Sequence, residues 1–120
     1  MMEEQNPLVT VNILSWNRKE DLRESLIELK KTTYPNIELI VVDNASTDGS
    51  PEMVEREFPY VKLIKMPKNI GIAGWNIGFE KANGKYIMVL DDDSYPAPDA
   101  IELMVEEFEK ADEDVGIIAF

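Results

Sequence analysis

The 120-residue chain is 44% hydrophobic and 30% charged, enough apolar material for one globular core and too little length for two. Its 24 aspartates and glutamates against 12 lysines and arginines give a net charge of −12, which disfavours nucleic acid and anionic lipid as partners. The absence of cysteine and histidine excludes disulfides, thiolate metal sites and a cysteine nucleophile, leaves acid–base chemistry to carboxylates, lysine or tyrosine, and requires any metal site to be built from oxygen.

Residues 1–7, MMEEQNP, read as a flexible lead-in with no basic region ahead of an apolar stretch, and no apolar run is long enough for a membrane span. From residue 8 onward strand and helix patterns alternate. LVTVNILS (8–15) is a β-branched apolar run, and the helix after it places Leu22, Leu26 and Leu29 on one face, with Asn17 and Glu20 as a reciprocal cap. IELIVVD (37–43) is the second strand, followed by a short helix with Ser50 as N-cap and Pro51 at its first position. VKLIKM (61–66) is the third strand, and GIAGWNIGFEKANG the third helix, with Gly84 suited to its C-terminal cap. KYIMVL is the fourth strand. The fourth helix sets Ile101, Met104, Val105 and Phe108 on one side, and VGIIAF begins a fifth strand.

Short connections between alternating elements predict βαβ units: a Rossmann-like α/β fold with a mostly parallel sheet and helices on both faces. Ligands bind such sheets beyond the carboxyl ends of the strands. The residues expected there are Ser15, Trp16 and Asn17, then Asp43 and Asn44, then Lys68 and Asn69, and finally Asp91, Asp92 and Asp93. Alternation along an extended chain would turn Asp91 and Asp93 to one side and Asp92 to the other, away from any metal. Two carboxylates about 4 Å apart repel by about 4 kcal/mol at an effective dielectric near 20, so a cation is the natural occupant. Oxygen-only ligation with few protein groups points to Mg²⁺ or Mn²⁺, the shell being completed by phosphate and water. The ordinary alternative is a solvated acidic turn ahead of a helix whose N-terminus favours negative charge.

Gly71, Gly74 and Gly78 fall on one helical face and let the third helix approach the sheet, with Trp75 and Phe79 as core anchors. They do not form the dinucleotide fingerprint, which would follow the first strand, where this chain has SWNRKE.

VVDNASTDGS and ANGKYIMVLDDDS, in this order and spacing, resemble the N-terminal, nucleotide-binding half of family 2 glycosyltransferases with the GT-A fold, a likeness running from about Val9 to the last residue. The resemblance implies an inverting enzyme that transfers a sugar from a nucleotide-sugar donor, UDP-linked in most members, to a hydroxyl of a carbohydrate or lipid-linked acceptor. By the same likeness Asp43 binds the base, Asp91 lies near ribose and metal, and Asp93 is the principal ligand of Mn²⁺ or Mg²⁺. Ser15 and Asn17 line the nucleotide pocket, Asn44 follows the base-binding aspartate, and Lys68, Asn69 and Gly71 form a loop passing near the nucleotide. No residue can be assigned as the general base, and residues 8–120 read as a GT-A domain truncated before its acceptor-binding half. A cytoplasmic location is expected, peripheral at the inner face of the membrane for a full-length protein, with self-association through an exposed sheet edge as a consequence of truncation. Two other readings are a non-catalytic nucleotide and metal binding module, and a phosphatase of the haloacid dehalogenase type with Asp91 as nucleophile.

Overall fold

The computed structural model describes residues 6–110 and 117–119. Five strands, β1 (Val9–Ser15), β2 (Ile37–Asp43), β3 (Lys62–Lys65), β4 (Tyr86–Asp91) and β5 (Ile117–Ala119), form one all-parallel sheet in the order β3-β2-β1-β4-β5. Four helices alternate with them: α1 (Lys19–Leu29), α2 (Ser50–Glu57), α3 (Gly74–Lys81) and α4 (Ala100–Lys110). The α/β architecture expected from the alternation is the one observed.

The two faces of the sheet are built differently. Val9, Val11, Ile13, Val41, Tyr86, Met88 and Leu90 point to one side, where they join Leu22, Leu26 and Leu29 of α1, Met53 and Val54 of α2 and Ile101 and Val105 of α4 in the apolar core. These are the positions that a helical period of 3.6 and a strand period of 2 select, and burying each side chain removes roughly 1.5–3 kcal/mol of unfavourable apolar hydration. Arg23 of α1 fastens α2 with two hydrogen bonds to Glu57, at 2.9 and 2.8 Å.

The opposite face carries α3 and includes buried polar side chains. A Cβ at Gly74 would stand 2.5 Å from Leu14 Cδ1, and one at Gly78 2.0 Å from Asn12 Oδ1, so the close approach predicted for these glycines is real. Gly71 differs: it has φ +65 with open space around it, and it belongs to a separate 3-10 turn, Gly71–Ala73, that precedes α3. The amide of Asn12 donates to Trp75 O at 3.0 Å, and the Trp75 indole donates to Leu90 O at 3.3 Å, so polar bonds hold α3 as well as packing. Trp75 and Phe79 are half-buried rather than fully enclosed anchors.

Three expected caps are corrected. The residue ahead of α1 is Arg18, without a side-chain cap; the Lys19 N–H is taken by Asp48 Oδ2, 2.9 Å away on the loop after β2. Gly49 with φ +88 precedes α2, so Ser50 is already helical and Pro51 stands second; Asp48 Oδ1 accepts the Ser50 N–H at 3.0 Å. Gly84 follows an extended Ala82 instead of capping α3, and a Cβ there would meet Thr10 N at 2.6 Å. Asn6 O accepts from Asn36 and Pro7 O from the Tyr34 hydroxyl, so the last two residues of the expected lead-in are tied to the fold; residues 1–5 lie outside the described residues.

Candidate functional site

Parallel strands bring the four polar clusters to one edge, and hydrogen bonds stitch them together there. Ser15 lies in register with Asp43, and Leu14 with Asp91. Asn44 N donates to Ser15 O and Met66 N to Asp43 O, each at 2.8 Å. The Asn44 side chain spans to the loop after β3, donating to Gly71 O at 3.0 Å and accepting from Ile70 N at 3.3 Å.

Between these loops lies a cleft of about 250 Å³ lined by Leu14, Trp16, Arg18, Asn44, Asn69, Gly71, Ile72, Asp91 and Asp92. Trp16 is 51% and Ile72 78% exposed, two apolar surfaces at a polar mouth. Of the residues expected to bind donor, Asn44, Asn69, Gly71 and Asp91 line this cleft. Lys68 is exposed beyond its lining. Asn17 sits at φ +51, receives no ligand-facing position in the lining, and instead braces two loops: its N–H donates to Ser46 Oγ at 2.9 Å and its Oδ1 accepts from Thr47 N at 2.7 Å.

Ser15 and Asp43 are buried under the loop that follows β2, on the α1 side of the sheet as strand alternation requires. Asp43 Oδ2 accepts the Ser46 N–H at 2.8 Å, whereas Asp43 Oδ1 and Ser15 Oγ have no partner. A buried carboxylate oxygen and a buried hydroxyl without partners are costly unless something else bonds them.

The three aspartates separate in three ways. Asp91 is exposed and lines the cleft. Asp92 is only 6% exposed: Oδ2 accepts the Trp16 N–H at 3.1 Å, and its backbone carbonyl accepts from Ser25 Oγ of α1 at 3.1 Å. Asp92 is an anchor that ties the end of β4 to the end of β1. Because the strand ends at Asp91 and a turn follows, the expected alternation is not the arrangement seen: Asp92 lines the cleft with Asp91 and faces Arg18 with Asp93. Burial pushes its carboxyl above the usual aspartate range; the Trp16 N–H and Arg18 oppose this, and Asp93 and Asp91 add to it. Asp93 is exposed, lies outside the cleft lining, and accepts from Arg18 Nη1 at 3.2 Å. Arg18, which pattern reading passed over, also places Nε 3.8 Å from Asp92 Oδ1.

Among the described residues no three or more carboxylates converge into a ready metal cage. Asp91 and Asp93 offer hard, exposed oxygens suited to an ion that takes most of its shell from phosphate and water, so the donor chemistry fits Mn²⁺ or Mg²⁺ held jointly with a ligand. Among the same residues no helix is long and apolar enough to cross a membrane.

The family model described as Glycosyl transferase family 2 matches residues 10–120. An uncharacterized glycosyltransferase of Haemophilus influenzae is 37% identical over 100 residues, spanning 80% of this chain and 40% of its own length. The glycosyltransferase GlyG of Streptococcus pneumoniae is 32% identical over 92% of this chain and 38% of its own. Among solved structures, the mannosyltransferase PcManGT of Pyrobaculum calidifontis, in complex with GDP-Man and Mn²⁺, superposes with a TM-score of 0.78 at 30% identity, over 86% of this chain and 32% of that one. TarS of S. aureus in complex with UDP shares the fold, with a TM-score of 0.79 at 23% identity over 85% of this chain and 32% of that one. The chain spans between 35 and 43% of the length of the first curated relatives it matches. These likenesses remove the phosphatase alternative, since the aspartate triplet at the end of β4 now sits in a match that covers every strand. The chain belongs to glycosyl transferase family 2.

Proposed function

We propose that this chain is the donor-binding part of an inverting, metal-dependent glycosyltransferase acting on a UDP-sugar. The observation that carries the reading is the unpartnered pair, Asp43 Oδ1 and Ser15 Oγ, buried at the same sheet edge as a cleft that bears the exposed carboxyl of Asp91. A carboxylate oxygen lacking a donor suits the ring N–H of a nucleobase; a small yield of the loop at 45–47 would admit it. The exposed indole of Trp16 offers a stacking surface for the same ring. Asn44, Asn69 and Gly71 then border the nucleoside, with Ser15, Asn17 and Lys68 behind or beside them, and Asp91 and Asp93 hold Mn²⁺ or Mg²⁺ on the diphosphate.

A bound divalent ion would stabilise the negative charge that develops on the leaving diphosphate. The chain's own contribution is to orient the nucleotide and fix the carboxylates, Asp92 doing the latter through its bond to Trp16 N. An acidic protein thereby holds an anionic donor, because the ion reverses the local sign. The acceptor is a carbohydrate or lipid-linked hydroxyl, and the setting is synthesis of a cell-surface polysaccharide at the cytoplasmic side of the membrane. A relative named a putative teichuronic acid biosynthesis glycosyltransferase, TuaG of Bacillus subtilis, supports that setting.

Calorimetry tests the reading. UDP is expected to bind weakly, only with Mn²⁺ or Mg²⁺ present, and more tightly than GDP. Equal metal-dependent affinity in Asp93→Ala and the parent would sink the metal assignment, and unchanged UDP affinity in Asp43→Asn would sink the base assignment. Turnover of a UDP-sugar separates an enzyme from a binding module.

A further inference from the structure

Arg18 is the one cation with a nitrogen within 4.0 Å of a carboxylate oxygen of the aspartate triplet among the described residues. Its guanidinium serves three acids at once: Asp93 at 3.2 Å, Asp92 at 3.8 Å and, through Nη1, Asp21 at 3.8 Å. Yet 54% of the side chain remains exposed, and it lines the cleft. A guanidinium held this loosely is mobile on a long stem, and its planar fork matches phosphate oxygens as well as carboxylate oxygens.

We infer that Arg18 is a built-in counter-cation that occupies one of the metal carboxylates, Asp93, in the free chain and exchanges it for the diphosphate when donor arrives. This rests on the donor-site reading above. In a chain of net charge −12, three consecutive aspartates call for a positive neighbour, and Arg18 supplies it. Asp93 Oδ2 cannot serve both Arg18 and a divalent ion at full strength, because the two cations repel at that distance. A metal ion arriving alone must therefore dislodge Arg18 with no anion to receive it. When the ion arrives with a nucleoside diphosphate, Arg18 swings from Asp93 to the phosphate oxygens across the cleft. Metal and nucleotide thus bind with positive coupling, and the coupling resides in one side chain.

The test measures two affinities of the 120-residue chain at fixed ionic strength: Mn²⁺ alone, from the electron paramagnetic resonance signal of the free ion, and UDP at saturating Mn²⁺, by calorimetry. Arg18→Ala is expected to bind Mn²⁺ alone about fivefold more tightly, the size of an exposed ion pair released from competition, and UDP about tenfold more weakly. Arg18→Lys, which keeps the charge without the fork, is expected to hold Mn²⁺ like the parent and lose part of the UDP affinity. General damage to the site lowers both affinities, so an increase for Mn²⁺ is a signature that a structural role does not produce. Unchanged or weaker Mn²⁺ binding in Arg18→Ala, with the parent binding both ligands, overturns the role of Arg18 alone. A parent that binds neither ligand overturns the donor-site reading and this inference with it.

Discussion

Replacing Gly78 by alanine probes the contact between α3 and the centre of the sheet. On a solvent-facing helical position the change stabilises by about 1 kcal/mol through backbone entropy. At Gly78 the new methyl would stand 2.0 Å from Asn12 Oδ1, 2.4 Å from its Cγ and 2.6 Å from its Nδ2. Asn12 is fully buried on β1, the central strand, and its amide is pinned to Trp75 O, so it cannot swing aside at no cost. Breaking that bond costs about 1 kcal/mol and overpacking a filled interior about 1–3 kcal/mol, which leaves a net loss of about 1–3 kcal/mol after the helical gain. Urea unfolding followed by circular dichroism would register this as a lower midpoint with an unchanged slope. Asn12→Ala in the same background makes room for the methyl and removes an acceptor that has no partner, so the double variant should recover about 1 kcal/mol or more relative to Gly78→Ala. A Gly78→Ala chain as stable as the parent would refute the reasoning, because it would mean that α3 does not sit against Asn12.

Asp48→Ala should cost about 1–2 kcal/mol, since one carboxylate receives the first N–H groups of both α1 and α2. Burial works to raise the Asp48 carboxyl, but the Ser50 hydroxyl and the Lys19 and Ser50 N–H groups outweigh it and hold the carboxyl below the usual range. Its contribution is therefore complete above the ordinary aspartate value and lost as pH falls through the lower folded one; the gap between parent and variant should stay constant from pH 7 to about 5 and close below about 4 in urea titrations. Asp92→Asn should behave oppositely. A carboxyl raised by burial favours the folded state while protonated and loses that advantage as pH rises from about 4, whereas an asparagine keeps the acceptor for Trp16 N at every pH. The variant should gain on the parent between pH 4 and 7, and a gap that narrows with rising pH would show that ionised Asp92 is favoured by its neighbours.

The alternation of elements was legible because it depends on local periodicity, and IELIVVD became a strand from Ile37 to Asp43 as its pattern requires. The meeting of four polar clusters was legible for the same reason: a parallel sheet leaves their chain positions no other place. What sequence reading missed depends on contacts between distant segments. The cap of α1 comes from Asp48, 29 positions on, so a search for a partner three residues away found Asn17 and Glu20 instead. Asn17 carries a bracing role in the same loop, and its positive φ explains an asparagine there without any ligand. Arg18 carried a faint signal, the first of two basic residues ahead of Glu20 and Asp21 and far in sequence from the triplet it serves. Gly84 looked like a helix stop because glycine often is one; its cause is the backbone of Thr10 on another strand.

The bond between Trp16 N and Asp92 spans 76 positions, and the cleft beside it draws its walls from all four connections at one sheet edge. No fragment of the chain holds more than part of that surface, so it comes into being only once the long crossovers have closed, the slow and entropically expensive portion of assembling a parallel sheet. Any molecule seated in the cleft then acts on the folding equilibrium as a whole, adding about 2.7 kcal/mol at a concentration one hundred times its dissociation constant. Ligand-induced protection against urea or protease would thus report completion of the fold, a readout that needs neither an acceptor nor turnover.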